Sequence, residues 1–209
     1  MNSKVTHINV GNLAENCWFL ANEDTKEAVV IDPGAEPDRI CAAAEKHGWK
    51  ITAILLTHGH IDHMGACESL RTELGVKVYA LTEEEDLLLD AKKNLSVFIE
   101  RKVVTFEPDE LLRDGQELTL AGMKIQVIHT PGHTPGGCSY YVAEAGCVFS
   151  GDTLFAESVG RSDFPGGSTS ALVRAVKEKL FLLPDDTLVC PGHGEETTIG
   201  HEKKYNSFV

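Results

Sequence analysis

Three histidines and one aspartate fall within one short segment of the chain, His58-Gly59-His60-Ile61-Asp62-His63. Imidazole nitrogens and carboxylate oxygens are ligands that Zn²⁺ and other divalent transition metals take in proteins. Side chains two residues apart in an extended segment point the same way, so His58 and His60 could bind one ion together. Asp62 and His63 come where a helix is predicted to begin, and they could serve a second ion. The segment therefore predicts a metal site.

Further candidate ligands follow three other apolar segments, each in a loop that contains glycine. These candidates are His133, Asp152 and His193. A single polar residue at the end of a strand is more often a turn or cap residue than a ligand. Four loops of this kind, each offering nitrogen or oxygen ligands after an apolar strand, together favour a metal site.

The remaining pattern predicts the elements that position these loops. Strands are predicted at 5–10, 17–20, 28–31, 51–56, 76–81, 117–120, 123–129, 139–143, 147–150 and 187–190. Helices are predicted at about 36–47, 63–74, 82–101 and 168–181. Thr82 and Glu85 have capping-box spacing, and the acidic residues 83–86 are interpreted as a helix N-terminus favoured by the macrodipole. Two strand-rich sets closed by helices favour two facing sheets with helices outside.

Length and composition limit the classes of protein. The chain has 209 residues, 42% of them hydrophobic, which favours one domain over 1–209 with a sizeable core. Its net charge of −13 argues against nucleic acid as a partner. No segment is long and apolar enough for a membrane span or a leader peptide, so no membrane association is expected. Six cysteines without a Cys-x-x-Cys pair are expected to be free thiols in the cytoplasm.

The His-x-His-x-Asp-His motif and the three downstream candidates resemble the metallo-β-lactamase superfamily over nearly the whole chain. The resemblance implies an α/β fold, an αββα sandwich with the metal loops at one sheet edge. Two divalent metal ions are the implied cofactors, with zinc expected and iron or manganese also compatible. The implied ligands are His58, His60 and His133 for one metal and Asp62, His63 and His193 for the other, with Asp152 bridging both.

Other segments are similar to the short bacterial hydroxyacylglutathione hydrolase (glyoxalase II) branch, namely Asn16-Cys17-Trp18, Ile31–Gly34, the Thr-Pro-Gly repeats around His133, Ser150–Phe155 and Gly160–Gly167. This similarity implies hydrolysis of a small-molecule thioester, such as S-lactoylglutathione, by a hydroxide held between the metals. Asp62 and Asp152 would orient that hydroxide. True β-lactamases of this fold lack a bridge like Asp152, which argues against antibiotic hydrolysis.

The resemblance is less informative about the substrate. Longer glyoxalase II enzymes have a C-terminal helical domain that grips glutathione, and this chain is expected to lack it. Arg161 lies where those enzymes carry a thiol-binding lysine, so Arg161 either pairs with a substrate carboxylate or forms a surface salt bridge. Phe164 is the second substrate-binding candidate. The acyl group, the thiol carrier and the oligomeric state stay open.

Two other functions are considered beside hydrolysis. A persulfide-dioxygenase-like oxidoreductase of the same fold would bind a single iron through His58, His133 and Asp152. The presence of the remaining candidates, Asp62, His63 and His193, favours the binuclear hydrolase instead. A non-catalytic metal-binding protein would be expected to have a broken ligand set, and the set in this sequence is complete.

Overall fold

The computed structural model describes residues 2–209, and in that range two six-stranded sheets face each other. The strands are β1 Ser3–Val10, β2 Glu15–Asn22, β3 Glu27–Ile31, β4 Lys50–Leu55, β5 Lys77–Leu81, β6 Glu110–Leu112, β7 Glu117–Leu120, β8 Met123–His129, β9 Cys138–Val142, β10 Cys147–Gly151, β11 Leu154–Phe155, β12 Ser158–Val159, β13 Leu188–Pro191 and β14 Thr197–Thr198. The α-helices are α1 Pro37–His47, α2 Ile61–Met64, α3 Cys67–Leu74, α4 Glu85–Leu88, α5 Ser96–Ile99, α6 Thr169–Glu178 and α7 Ile199–Tyr205.

The first sheet follows chain order from β1 to β6, with β1 to β3 antiparallel and β3 to β6 parallel. The second sheet has the order β14-β13-β10-β9-β8-β7, in which only the β10–β13 pair is parallel. The hairpin of β11 and β12 forms a separate two-stranded sheet, and Leu154 packs against Val148 and Val189 of the second sheet. The predicted αββα sandwich is confirmed.

Side-chain alternation along the strands divides the core into three layers. On β2, Trp18 and Leu20 face the second sheet and pack with residues such as Tyr140 and Phe149. The intervening Phe19 faces the other way, toward α1 and α3. A third cluster packs α6 against the outer face of the second sheet. The period-2 pattern of a strand thus supplies both faces of a sheet that is covered on both sides.

The ten predicted strands are all present, with ends displaced by at most two residues. The helix predicted over 63–74 is instead two helices, α2 and α3, which meet at Gly65. A Cβ at position 65 would overlap the carbonyl oxygen of Gly34, so this corner of the chain packs directly on another loop. Ala66 N donates to Pro33 O at 2.9 Å, a tertiary bond in place of a helical one.

The single helix predicted over 82–101 is wrong, because the segment contains the short helices α4 and α5 with a turn between them. Asn94 is buried in that turn, where its side chain accepts from Ser96 N and donates to Val104 O at 2.8 Å. The capping box is wrong as well, since Thr82 Oγ1 donates to Leu112 O at 2.8 Å. Side-chain hydrogen bonds of Asn and Thr compete with helical ones, which explains the break.

The helix predicted over 168–181 is α6, and its N-cap is Ser168, whose hydroxyl accepts from Ala171 N. A separate 3₁₀ turn follows it. Within residues 2–209, none of the helices has the length and apolar character needed to cross a bilayer.

Candidate metal centre

The seven residues predicted to bind metal lie together at one edge of the sandwich. His58 and His60 are in the loop after β4, and Asp62 and His63 are in α2 directly behind it. The other three follow strands of the second sheet: His133 lies between β8 and β9, Asp152 follows β10, and His193 follows β13. The two sheets therefore each contribute to one site.

The first cluster consists of His58, His60 and His133, which are all buried. One ring nitrogen from each lies within 4.8 Å of the others. His60 Nδ1 and His133 Nε2 face each other at 2.9 Å. Three imidazole nitrogens that converge in this way are a ligand set suited to a divalent transition metal.

The second cluster consists of Asp62, His63 and His193, and its ligand atoms also lie within 4.8 Å of one another. His193 Nε2 is 3.3 Å from Asp62 Oδ2. Asp152 lies between the two clusters, with Oδ1 3.4 Å from His63 Nε2 and Oδ2 3.6 Å from His133 Nε2. Oδ2 also lies 3.8 Å from His193 Nε2, so this one carboxylate reaches ligands of both clusters.

Protonation and hydrogen bonding both fit metal binding. Burial lowers the pKa of His58 and of His60, so both imidazoles are neutral at pH 7 and have a free lone pair. The buried atoms His58 Nε2, His63 Nε2 and Asp152 Oδ1 have no hydrogen-bond partner. Because buried polar atoms in proteins almost always have a hydrogen-bond partner, cations bound at the two clusters would account for these unpartnered atoms.

The charged groups of the second cluster stabilise one another. Burial alone would lower the pKa of His63, but the carboxylates of Asp152, Asp62 and Asp32 together outweigh it and raise the pKa. Burial alone would raise the pKa of Asp62, but His63 and His193 outweigh it and lower the pKa. The excess of negative charge here is what a bound divalent cation would offset.

The sequence pattern assigns no role to Asp32, which lies in the segment Ile31–Gly34. Its Oδ1 accepts from Thr57 N at 2.7 Å, and its Oδ2 accepts from the Thr57 hydroxyl. Asp32 Oδ2 also lies 3.0 Å from His63 Nδ1. These bonds occupy the carboxylate, so Asp32 orients His63 and leaves Nε2 of that ring for a metal.

Glu84 is a second residue that the sequence analysis missed, because it lies in the acidic run interpreted as a helix N-terminus. The side chain is buried, and its two oxygens accept from Gly59 N and Gly136 N, both at 2.8 Å. Burial raises the pKa of Glu84 to about 7, although these hydrogen bonds favour the charged form. Glu84 thus connects the loop of His58 and His60 to the loop of His133.

Replacing Glu84 with Gln is expected to weaken zinc binding by roughly 10- to 100-fold, the usual effect of losing an orienting group. The amide nitrogen of Gln would face a backbone N–H, so one of the two loops loses its acceptor. Competition with a chromophoric chelator measures the dissociation constant. Glu83→Gln, at an exposed neighbouring position, is the matched control. Unchanged zinc affinity in Glu84→Gln would show that Glu84 does not hold the loops.

A cleft of about 380 Å³ opens above the ligands, and both substrate-binding candidates line it. The Phe164 ring lies edge-on to His60 and His133, with centroids 5.3 and 5.8 Å away. The Arg161 guanidinium is exposed and pairs with Asp163, with Nε 2.9 Å from Oδ1. The backbone carbonyl oxygen of Arg161 accepts a hydrogen bond from His133 Nδ1 at 2.6 Å. The structure therefore shows the surface salt bridge and places the Arg161 backbone, rather than its charge, against a candidate ligand.

Comparison with known proteins agrees with this arrangement. The family model described as the metallo-beta-lactamase superfamily matches residues 10–193. A curated relative, the hydroxyacylglutathione hydrolase GloC of Haemophilus influenzae, is 36% identical over 93% of this chain and 92% of its own length.

Two solved structures are similar to this chain over nearly their whole length. BLEG-1, described as a B3 metallo-beta-lactamase, has a TM-score of 0.93 with 38% identity, covering 98% of this chain and 99% of its own. TTHA1623 in a di-iron-bound form has a TM-score of 0.86 with 37% identity, covering 98% of this chain and 100% of its own. Together with the converging ligands, these matches show that the chain belongs to the metallo-beta-lactamase superfamily and is a metal-dependent hydrolase.

Proposed function

We propose that the chain hydrolyses a thioester at a binuclear metal centre, with S-lactoylglutathione as the reference substrate. The observation that carries the proposal is the position of Asp152, whose carboxylate lies between the two three-residue clusters and within 3.6 Å of a histidine nitrogen of each. A site for a single metal would not require a carboxylate shared in this way. The similarity to the hydroxyacylglutathione hydrolase of Haemophilus influenzae supports the choice of a thioester.

The residues of the chain would hold the metals and orient the reaction. When bound, two divalent cations supply a nucleophilic hydroxide at neutral pH and polarise the substrate carbonyl. The proposed ligands are His58, His60 and His133 at one position and Asp62, His63 and His193 at the other, with Asp152 shared. Asp32 fixes the tautomer of His63, because it accepts a hydrogen bond from Nδ1. A thiolate leaves readily, so the chain needs no strong general acid.

The nitrogen and oxygen ligands, without a thiolate, suit zinc, iron or manganese. We propose zinc as the first metal to test, and the di-iron form of TTHA1623 makes iron the second. The relative described as a B3 metallo-beta-lactamase weakens the sequence argument against β-lactam hydrolysis. A cephalosporin therefore belongs in the assay as a competing substrate.

The experiment is a hydrolysis assay on protein reconstituted separately with zinc and with iron. Release of glutathione from S-lactoylglutathione is followed with a thiol reagent, and opening of a chromogenic cephalosporin is followed on the same preparation. The expected result is metal-dependent thioester hydrolysis that exceeds β-lactam hydrolysis by at least roughly 100-fold in kcat/KM, a difference of about 3 kcal/mol in transition-state binding. Cephalosporin hydrolysis without thioester hydrolysis would overturn the proposal.

A further inference from the structure

The cleft above the metal ligands has apolar walls. Its lining outside the ligand set includes Leu13, Leu95, Ile99, Phe155, Val159 and Phe164. Leu13 is 49% exposed and Ile99 is 38% exposed, although both are large aliphatic side chains. Apolar side chains that line a concave surface beside convergent polar groups are typical of ligand contacts.

These side chains come from distant parts of the chain. Leu13 is at the tip of the β1–β2 hairpin, and Leu95 and Ile99 belong to the segment around α5. We call Leu13, Leu95 and Ile99 the apolar wall. The hairpin and the α5 segment each contribute aliphatic side chains to the same cleft. The apolar wall is therefore not simply the apolar face of one amphipathic helix or strand.

The charges around the cleft do not favour an anionic substrate arm. Among residues 2–209, Arg161 is the one lysine or arginine that lines the cleft. Asp163 accepts from both Nε and Nη2 of Arg161, at 2.9 and 2.8 Å, so the positive charge already has a carboxylate partner. The guanidinium also lies over the Phe164 ring, 4.4 Å from its centroid. A carboxylate on the substrate would compete with Asp163 for this guanidinium and would meet a chain with a net charge of −13.

We propose that the cleft selects thioesters by an uncharged hydrocarbon acyl group that packs on the apolar wall, and that it does not recognise carboxylates of the thiol carrier. This inference rests on the proposed thioester hydrolysis. In this proposal, Leu13, Leu95 and Ile99 determine which acyl group is preferred, and the charge of Arg161 does not contribute to substrate choice. Burial of each methylene against such a wall favours binding, which raises kcat/KM by roughly two- to fourfold per methylene.

The test is a series of acetyl, butyryl and hexanoyl thioesters of N-acetylcysteamine, which is a neutral thiol, together with S-acetylglutathione. From acetyl to hexanoyl, kcat/KM is expected to rise at least about 10-fold. S-Acetylglutathione is expected to react no faster than S-acetyl-N-acetylcysteamine, because the cleft offers the glutathione carboxylates no lysine or arginine without a carboxylate partner. A flat acyl series, or a preference for the glutathione ester of 10-fold or more, would overturn the inference while leaving thioester hydrolysis intact.

Variants of the wall locate the effect. Leu13→Ser and Ile99→Ser are expected to lower the ratio of hexanoyl to acetyl kcat/KM, and a ratio within one variant cancels losses of fold or metal. Leu182→Ser is the matched control, since Leu182 is 78% exposed and does not line the cleft. If the ratio stays at the wild-type value in both wall variants, the acyl group does not pack on the apolar wall. Absence of hydrolysis of every thioester would instead refute the proposed function, and the inference would fail with it.

Discussion

Replacing Asp152 with Asn is expected to lower kcat/KM on S-lactoylglutathione by on the order of 10³-fold and to leave fewer than two metal ions per chain. In the wild-type chain, Asp152 Oδ1 faces His63 Nε2 at 3.4 Å and Oδ2 faces His133 Nε2 at 3.6 Å. Asn has only one oxygen and no charge, and its NH₂ group would direct protons at the ligand that the second carboxylate oxygen faces. Metal content by mass spectrometry and steady-state kinetics on the same sample measure the two effects.

A matched control separates loss of the bridge from loss of charge. Asp186→Asn removes the same charge at an exposed position away from the site, and it is expected to keep wild-type metal content and activity. Two metals per chain in Asp152→Asn, with kcat/KM within about 10-fold of wild type, would contradict the role of Asp152 as the shared ligand.

Replacing Gly192 with Ala is expected to lower kcat/KM by roughly 100-fold, the effect of displacing reacting groups by about 1 Å. A Cβ at position 192 would overlap Asp152 Oδ1 and come within 2.6 Å of His63 Cε1. The backbone at this position has little freedom to move, because Gly192 N donates to Gly151 O at 2.9 Å and Gly192 O accepts from Asn16 N at 2.7 Å. The side chains of the two ligands must therefore give way. Zinc affinity and kcat/KM measure the displacement.

Gly146→Ala serves as the control for backbone strain. Gly146 has a φ of +62° and open space where a Cβ would lie, so Ala there is expected to destabilise the fold by about 1 kcal/mol without touching the site. Thermal unfolding should detect that loss while zinc affinity and activity stay at wild-type values. If Gly192→Ala also lowered stability but kept wild-type zinc affinity and activity, the added Cβ would not displace Asp152 and His63, and the prediction would be wrong.

The candidate ligands could be predicted from the sequence because their signal is local. The segment from His58 to His63 follows a strand whose apolar residues are contiguous, and the ends of neighbouring strands meet at one sheet edge. The spacing of the histidines and the carboxylate needs no tertiary information. The strands were predictable for the same reason, since burial on both faces of β4 gives a mostly apolar run that only Thr52 interrupts between Ile51 and Leu55.

The orienting residues could not be predicted because their roles depend on long-range contacts. Asp32 looks like a turn residue before Pro33, and its bonds to Thr57 and His63 exist only in the folded chain. Glu84 lies in an acidic run that is typical of a solvated helix N-terminus, yet it accepts a hydrogen bond from Gly136, 52 positions away. Local sequence patterns cannot distinguish a buried acceptor of two backbone N–H groups from an exposed acidic residue.

The helix expected over 82–101 failed for a related reason. Hydrophobic spacing in that segment is compatible with a helix, but the side chain of Asn94 forms hydrogen bonds to Ser96 and Val104. The resulting turn carries Leu95, which has a φ of +66°, into the lining of the cleft. The break in the predicted helix therefore lies in the segment that contributes Leu95 to the wall of the cleft.

The number of metal ions bound per active chain distinguishes a binuclear hydrolytic site from a mononuclear one. Apoprotein is titrated with zinc while bound metal and S-lactoylglutathione hydrolysis are measured on the same aliquots. The expected result is two zinc ions per chain, with activity that rises as the second ion binds. Full hydrolytic activity at one metal per chain would contradict the binuclear site. A single iron with persulfide-dependent oxygen uptake and no thioester hydrolysis would contradict the proposed reaction as well.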